Sequence, residues 1–177
     1  MVSYPEWSYF PRRTEAPVWV NEFVSVIHGS RSEIESSLHI RLKSDAVLMA
    51  LRSKLVETGW QIESGKRAID KISRPVLFGD TGISKVNYEI DGWHPNHKVV
   101  LEIESGRGWQ GNAFFRDLIR TSLIQGADYL AVGLRTSYSY AKVKSQNDFI
   151  KARDQMDAIY ASGRLQLPFE GILVFGW

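Results

Sequence analysis

The stretch Val86-Asn87-Tyr88-Glu89-Ile90-Asp91, the turn signal Pro95-Asn96, and the run Lys98-Val99-Val100-Leu101-Glu102-Ile103-Glu104 decide the fold of this chain. Every second residue of the first run is apolar, the pattern of a half-buried strand. In the second run Val99, Leu101 and Ile103 form an apolar face, and Lys98, Val100, Glu102 and Glu104 form the other. If Pro95 and Asn96 are the two central residues of a hairpin turn, His94 pairs with His97 and Asp91 falls opposite Val100. Asp91 and Glu102 are then diagonal neighbours on one face, roughly 7 Å apart at the backbone. Glu89 would stand directly opposite Glu102, with Glu104 on the same face. A three-residue turn would instead shift the register by one and turn Asp91 to the other side.

On either side of this pair the periodicity becomes helical. Upstream, Val20, Phe23, Val24 and Ile27 mark a short helix stopped by Gly29, and a second short helical piece is expected around Glu33 to Leu38. Ser44-Asp45 opens a further helix, with Ser44 as cap, Leu48, Leu51 and Leu55 as its apolar stripe and Gly59 as its stop. Arg74 to Phe78 reads as extended. Downstream, Phe115, Ile119 and Leu123, with Phe114 and Leu118 beside them, predict a helix over 110–125. Tyr129 to Leu134 reads as a central strand, Phe149, Ala152, Met156 and Tyr160 as a last helix ending at Gly163, and Ile172 to Phe175 as a final strand. The expected architecture is α/β: a mixed central sheet flanked by helices on both faces. It forms a single domain over 1–177, with the proline-bearing residues 1–19 as an irregular lead-in.

Composition narrows the chemistry. The chain has 177 residues, 44% hydrophobic and 24% charged, with a net charge of +2. A near-neutral chain does not coat polyanions generally, so nucleic acid would have to bind at a local patch. With no cysteine, disulfides, thiol nucleophiles and thiolate metal sites are excluded, and any metal must be held by oxygen or imidazole. The longest wholly apolar run, Ala46 to Leu51, is far short of a membrane span, so no membrane association and a cytoplasmic location are expected.

Crowded acids on one sheet face repel each other. Two readings relieve the repulsion. The acids of a solvated face can pair with helix lysines and arginines. Alternatively, a hard divalent cation such as Mg²⁺ or Mn²⁺ can bind one or two carboxylates together with water and phosphate oxygens.

The run Ile90-Asp91, hairpin, Val99 to Glu104, helix, apolar strand resembles the PD-(D/E)xK nuclease superfamily, the restriction-endonuclease-like fold. That resemblance implies Asp91, Glu102 and the backbone carbonyl of Ile103 as metal ligands, and DNA as the partner. The third motif position, usually lysine, is Glu104 here. This departure, with Phe115-Arg116-Asp117-Leu118 downstream, is similar to a subgroup of type II restriction endonucleases with Glu or Gln at that place. The implied activity is metal-dependent endonucleolytic hydrolysis of DNA, as in a restriction or defence enzyme, with Asp91, Glu102 and Glu104 catalytic and Glu104 acting on the attacking water. Cutting a duplex with one site per chain would favour a homodimer. A non-catalytic nucleic-acid- or protein-binding module on the same fold is the alternative, Glu104 then marking a lost lysine.

Arg107 and Gln110 follow the acid pair where the chain enters a helix, and they are the expected DNA contacts, since a helix N-terminus beside an arginine seats phosphate. Arg116 and Arg120, four residues apart, face solvent or phosphate. Asp45 reads as a first-turn acid, His94 and His97 as surface residues flanking a turn, and Lys98 as too far along the strand, some 13 Å, to replace the missing lysine.

Overall fold

The computed structural model describes residues 4–106, 108–109, 111–137 and 146–177. Eight strands and five helices follow in the order β1 (Glu6–Phe10), α1 (Val18–Gly29), α2 (Arg31–Ile34), α3 (Ser44–Glu57), β2 (Gln61–Ile62), β3 (Ile72–Phe78), β4 (Ser84–Ile90), β5 (Gly92–His94), β6 (Val99–Ile103), α4 (Ala113–Ser122), β7 (Tyr129–Leu134), α5 (Asp148–Ser162) and β8 (Gly171–Gly176). Six strands form the central sheet in the order β1-β8-β7-β6-β5-β2, and β3 and β4 form a separate two-stranded hairpin. The ladders β6·β7 and β7·β8 are parallel, while β1, β5 and β2 join antiparallel. The sheet is therefore mixed.

Strand alternation divides the core into two layers. Val99, Leu101 and Ile103 of β6, with Ala131, Leu173 and Phe175, pack against Trp19, Val20, Phe23 and Ile27 of α1 and Val47, Leu48, Leu51 and Leu55 of α3. Val100, Leu130, Val132, Ile172 and Val174 face the other way, against Phe114 and Leu118 of α4 and Phe149, Ala152 and Met156 of α5. Helices cover both faces, as the periodicity predicts. Because Val100 and Glu102 share one face of β6, Glu102 extends an apolar row beneath α4. Among the described residues no helix is long and apolar enough to cross a membrane.

Four expectations need correction. The lead-in expected to be irregular contains β1, paired with β8 from Glu6↔Gly176 to Phe10↔Ile172, and Phe10 is fully buried. Ser44 is the first helical residue of α3 rather than its cap; Lys43 takes the cap position without a side-chain bond. Helix α4 begins at Ala113, and its buried face carries Phe114, Asp117, Leu118 and Thr121, whereas Ile119 and Leu123 are exposed.

The hairpin register is the fourth. His94 pairs with Val99, and the loop is Pro95 to Lys98, closed by Lys98 with a left-handed φ of 53°. A two-residue hairpin loop favours positive φ at its first central position, and proline, locked near −65°, cannot supply it. The register is shifted by two. A shift of two preserves the face, so the Gly92↔Leu101 pairing extended by one residue sets Asp91 opposite Glu102.

Asp91 is also where the chain changes sheets. Ile90 still pairs with Ile72 in the hairpin, and Gly92 already pairs with Ile62 and Leu101 in the central sheet. The crossing is tight: a Cβ at Gly92 would stand 2.8 Å from Ile62 Cδ1 and 3.1 Å from Leu101 Cβ. Glu89, expected opposite Glu102, belongs instead to the β3·β4 ladder, across from Ser73.

Candidate active site

The change of sheet at Asp91 leaves its side chain free to reach β6, where Oδ2 accepts the Ile103 N–H at 2.7 Å. The N–H and C=O of one residue in an extended strand point the same way, so the Ile103 carbonyl also faces this side, beyond Gly92, the first residue of β5. Glu102 lies on the α4 face of β6. Glu104 follows the strand end, where its N–H continues the parallel ladder to Gly133 O at 2.9 Å. Helix α4 then lays Arg116, Asp117 and Arg120 over these acids. The result is a polar cleft of about 230 Å³ lined by the acids Glu63, Glu89, Asp91, Glu102, Glu104 and Asp117, with Lys71, Arg116 and Arg120 among them.

The cationic side chains are already engaged. Arg116 donates Nη2 to Glu104 Oε1 at 2.7 Å and Nε to Asp117 Oδ1 at 2.9 Å. Lys71 Nζ donates to both oxygens of Glu63, at 2.9 and 2.8 Å. Arg120 donates to the Glu89 carbonyl at 3.3 Å and lies over the Tyr88 ring. Among the described residues this leaves Asp91 and Glu102 without a cation in contact, and their electrostatics follow. Burial pushes Asp91 up to about 7, against the stabilising Ile103 N–H, with Glu63 and Asp117 adding repulsion. Burial also raises Glu102 well above the usual carboxylate range, reinforced by Asp91 and Asp117. Glu104 is pushed up to about 8 by burial and by its contact with Asp117, in spite of Arg116.

Such a site is oxygen-rich and short of positive charge, the donor chemistry that suits a hard divalent cation. Asp117 points the same way: it is 1% exposed, and its Oδ2 is buried with no hydrogen-bond partner among the described residues. As the side chains stand, no group of three His, Asp or Glu among the described residues forms a closed metal cage. Any ion here would draw on two carboxylates, backbone carbonyl and water.

The structure brings Asp91, Glu102, Ile103 and Glu104 to one cleft. Arg107 and Gln110 lie outside the described residues. Between them, Trp109 packs on Phe114 and Phe115, with centroids 6.4 and 5.4 Å away, and its N–H is held by Asp148. Asp45 pairs with Lys66 and Lys98 with Asp128, both apart from the cleft. His94 is buried rather than a surface residue: its Nε2 meets the Thr58 carbonyl at 3.0 Å, and its Nδ1 accepts the His97 N–H.

Sequence reasoning did not find Asp117, Glu63 or Lys71 as site residues. A signal for Asp117 exists. Phe114, Asp117, Leu118 and Thr121 stand at helical spacing, and an acid in that row is an acid turned inward.

No protein-family model matches the chain, and no curated protein does. Among solved structures it is similar to the crystal structure of the restriction endonuclease BglII complexed with a DNA 16-mer, at 11% identity over 98% of this chain and 76% of that one, with a TM-score of 0.53. A second similar structure is that of free BglII, at 11% identity over 98% and 79%, with a TM-score of 0.49. The likeness to the DNA-bound structure is one of fold. The chain has a restriction-endonuclease-like fold.

Proposed function

We propose that this chain is a metal-dependent endonuclease that hydrolyses phosphodiester bonds of DNA. The observation that supports the reading is that Asp91 and Glu102 line one cleft, in which both carboxylates are costly to ionise without a cation. Asp91 Oδ1, a Glu102 oxygen and the Ile103 carbonyl would hold Mg²⁺ or Mn²⁺. When bound, the ion would polarise the phosphate, acidify water and neutralise developing charge.

The chain's own residues supply the rest. The Ile103 N–H fixes the Asp91 carboxylate in one orientation. Arg116 fixes Glu104, and the high proton affinity of Glu104 makes it a stronger base toward water than an ordinary glutamate. Arg116 is an exposed guanidinium at the cleft and Arg120 is half-buried beside it; together they offer forked donors to the scissile phosphate. DNA is favoured as substrate because the fold is that of an endonuclease solved with DNA bound.

Incubation of supercoiled plasmid with the protein at low salt, with Mg²⁺, with Mn²⁺ and with EDTA, tests this directly. Nicked or linear product is expected with either ion, and none from Asp91→Ala or Glu102→Ala. Cleavage by Glu102→Ala at the parent rate would overturn the site, and the non-catalytic module would then be the better reading.

A further inference from the structure

Arg135, just after β7, and Asp148, the first residue of α5, are charged residues only 3% and 2% exposed, and neither lines the cleft. Their backbones meet where the connection from β7 to α5 closes: the Asp148 and Phe149 N–H groups donate to the Arg135 carbonyl at 3.1 and 3.3 Å. An acid in the first turn of a helix ordinarily faces water and complements the dipole. Asp148 does not, and the cap is already supplied by Asn147, whose Oδ1 accepts the Ile150 N–H at 2.9 Å. Helix formation therefore gives no reason to bury this carboxylate, and burial is costly.

Both side chains reach the turn that joins β6 to α4. Arg135 Nη1 donates to the Ser105 carbonyl at 3.2 Å, directly after Glu104, and Asp148 Oδ2 accepts the Trp109 N–H at 3.3 Å. Gly108 is wedged among the same groups: a Cβ there would stand 2.9 Å from Leu134 Cδ2, 3.4 Å from Glu104 Cβ and 3.5 Å from Asp148 Oδ2. The start of α4 hangs on this turn. The Gly108 carbonyl accepts the Phe114 N–H at 3.0 Å, the Trp109 carbonyl accepts the Asn112 N–H at 3.1 Å, and the Asn112 carbonyl accepts the Arg116 N–H at 2.9 Å. A run of hydrogen bonds thus leads from Asp148 to Arg116, whose guanidinium donates to Glu104. Burial raises the proton affinity of Asp148, and the Trp109 N–H lowers it, ahead of Lys151 and Arg135.

We propose that Asp148 is a positioning residue for cleavage: by accepting the Trp109 N–H it holds the turn between β6 and α4 in the conformation that sets Arg116 against Glu104. The proposal rests on the functional reading of the cleft. Hydrogen exchange separates the two, because it needs no activity.

The test is single-turnover cleavage of supercoiled plasmid in Mn²⁺ together with amide hydrogen exchange by nuclear magnetic resonance, on the whole chain, with thermal melting of every variant. Asp148→Ala should cleave roughly 10²-fold more slowly at saturating protein, the cost of misplacing reacting groups by about 1 Å, with Mn²⁺ affinity unchanged. Its Trp109 and Phe114 N–H groups should exchange roughly tenfold faster or more, the loss of one hydrogen bond, while those of Ile103 and Glu104 exchange as in the parent. Asp148→Asn keeps an acceptor and should return both readouts most of the way. Ile27→Ala, in the other core layer, should lower Tm and keep the parent rate, which separates positioning from lost stability. Asp148→Leu, an apolar group of similar size, repeats the measurement if the alanine variant does not fold. Parental exchange at Trp109 and Phe114 in folded Asp148→Ala overturns the proposal, as does a parental cleavage rate, and so does an asparagine variant as slow as the alanine one. A parent that cleaves no DNA, with the exchange pattern as expected, overturns the functional reading and leaves Asp148 as the residue that holds the turn.

Discussion

Asp91 does two separable things: it carries charge into the cleft, and it satisfies the N–H of Ile103, which is itself buried. Asp91→Asn keeps an acceptor oxygen and removes the charge; Asp91→Ala removes both. The alanine variant should therefore be less stable than the asparagine variant by about 1–3 kcal/mol, the cost of leaving a buried donor unpaired, as read by chemical denaturation. Both should be inactive on plasmid. Glu104 differs in kind, since its proposed role is toward water. Glu104→Gln should keep the ion at Asp91 and Glu102, while the cleavage rate falls roughly 10²–10⁴-fold, the range for loss of a general base. Equal cleavage rates for Glu104→Gln and the parent would remove Glu104 from the reaction.

Within the elements, β7 holds the ladder that positions Glu104, and its Gly133 is set by close packing. A Cβ there would stand 2.5 to 3.1 Å from ring atoms of Phe175. Gly133→Ala should destabilise by about 1–3 kcal/mol through overpacking and should disturb the strand end that presents Glu104, lowering activity along with stability. Strand β1 gives a second test. Phe10 is fully buried against Tyr160, with centroids 5.9 Å apart, in a segment whose prolines read as irregular. Phe10→Ala should cost about 3–5 kcal/mol in denaturant unfolding; a loss below 1 kcal/mol would restore the irregular lead-in. Alternation and helical spacing were visible for β6, β7, α1, α3 and α5 because each carries enough apolar residues to show its period. They misled for α4, where Phe115, Ile119 and Leu123 make an apolar row as regular as the one that is buried.

For the whole molecule, the cleft acids predict how stability varies with pH. Asp91 and Glu104 titrate in the folded protein at about 7 and about 8, against about 4 in an unfolded chain. Between those limits the folded state binds more protons than the unfolded state, so stability must fall as pH rises. In EDTA, Tm should decline from about pH 5 to about pH 8. Mn²⁺ at the upper end should restore it, and the double variant Asp91→Asn/Glu104→Gln should make the decline shallower, with Glu102 carrying what remains. A flat curve for the parent would mean the carboxylates are not enclosed as described. The sequence was sufficient for the order of the long elements from α1 to β8, for helices on both faces of the sheet and for the shared face of Asp91 and Glu102. These rest on local periods of 2 and 3.6, and a register error of two leaves a period of two unchanged. Only tertiary packing decided that the chain changes sheets at Asp91, that β1 completes the sheet, and that α4 turns Asp117 rather than Ile119 inward. Each of these is a relation between segments distant in sequence, and a local period holds no information about which partner will cover it.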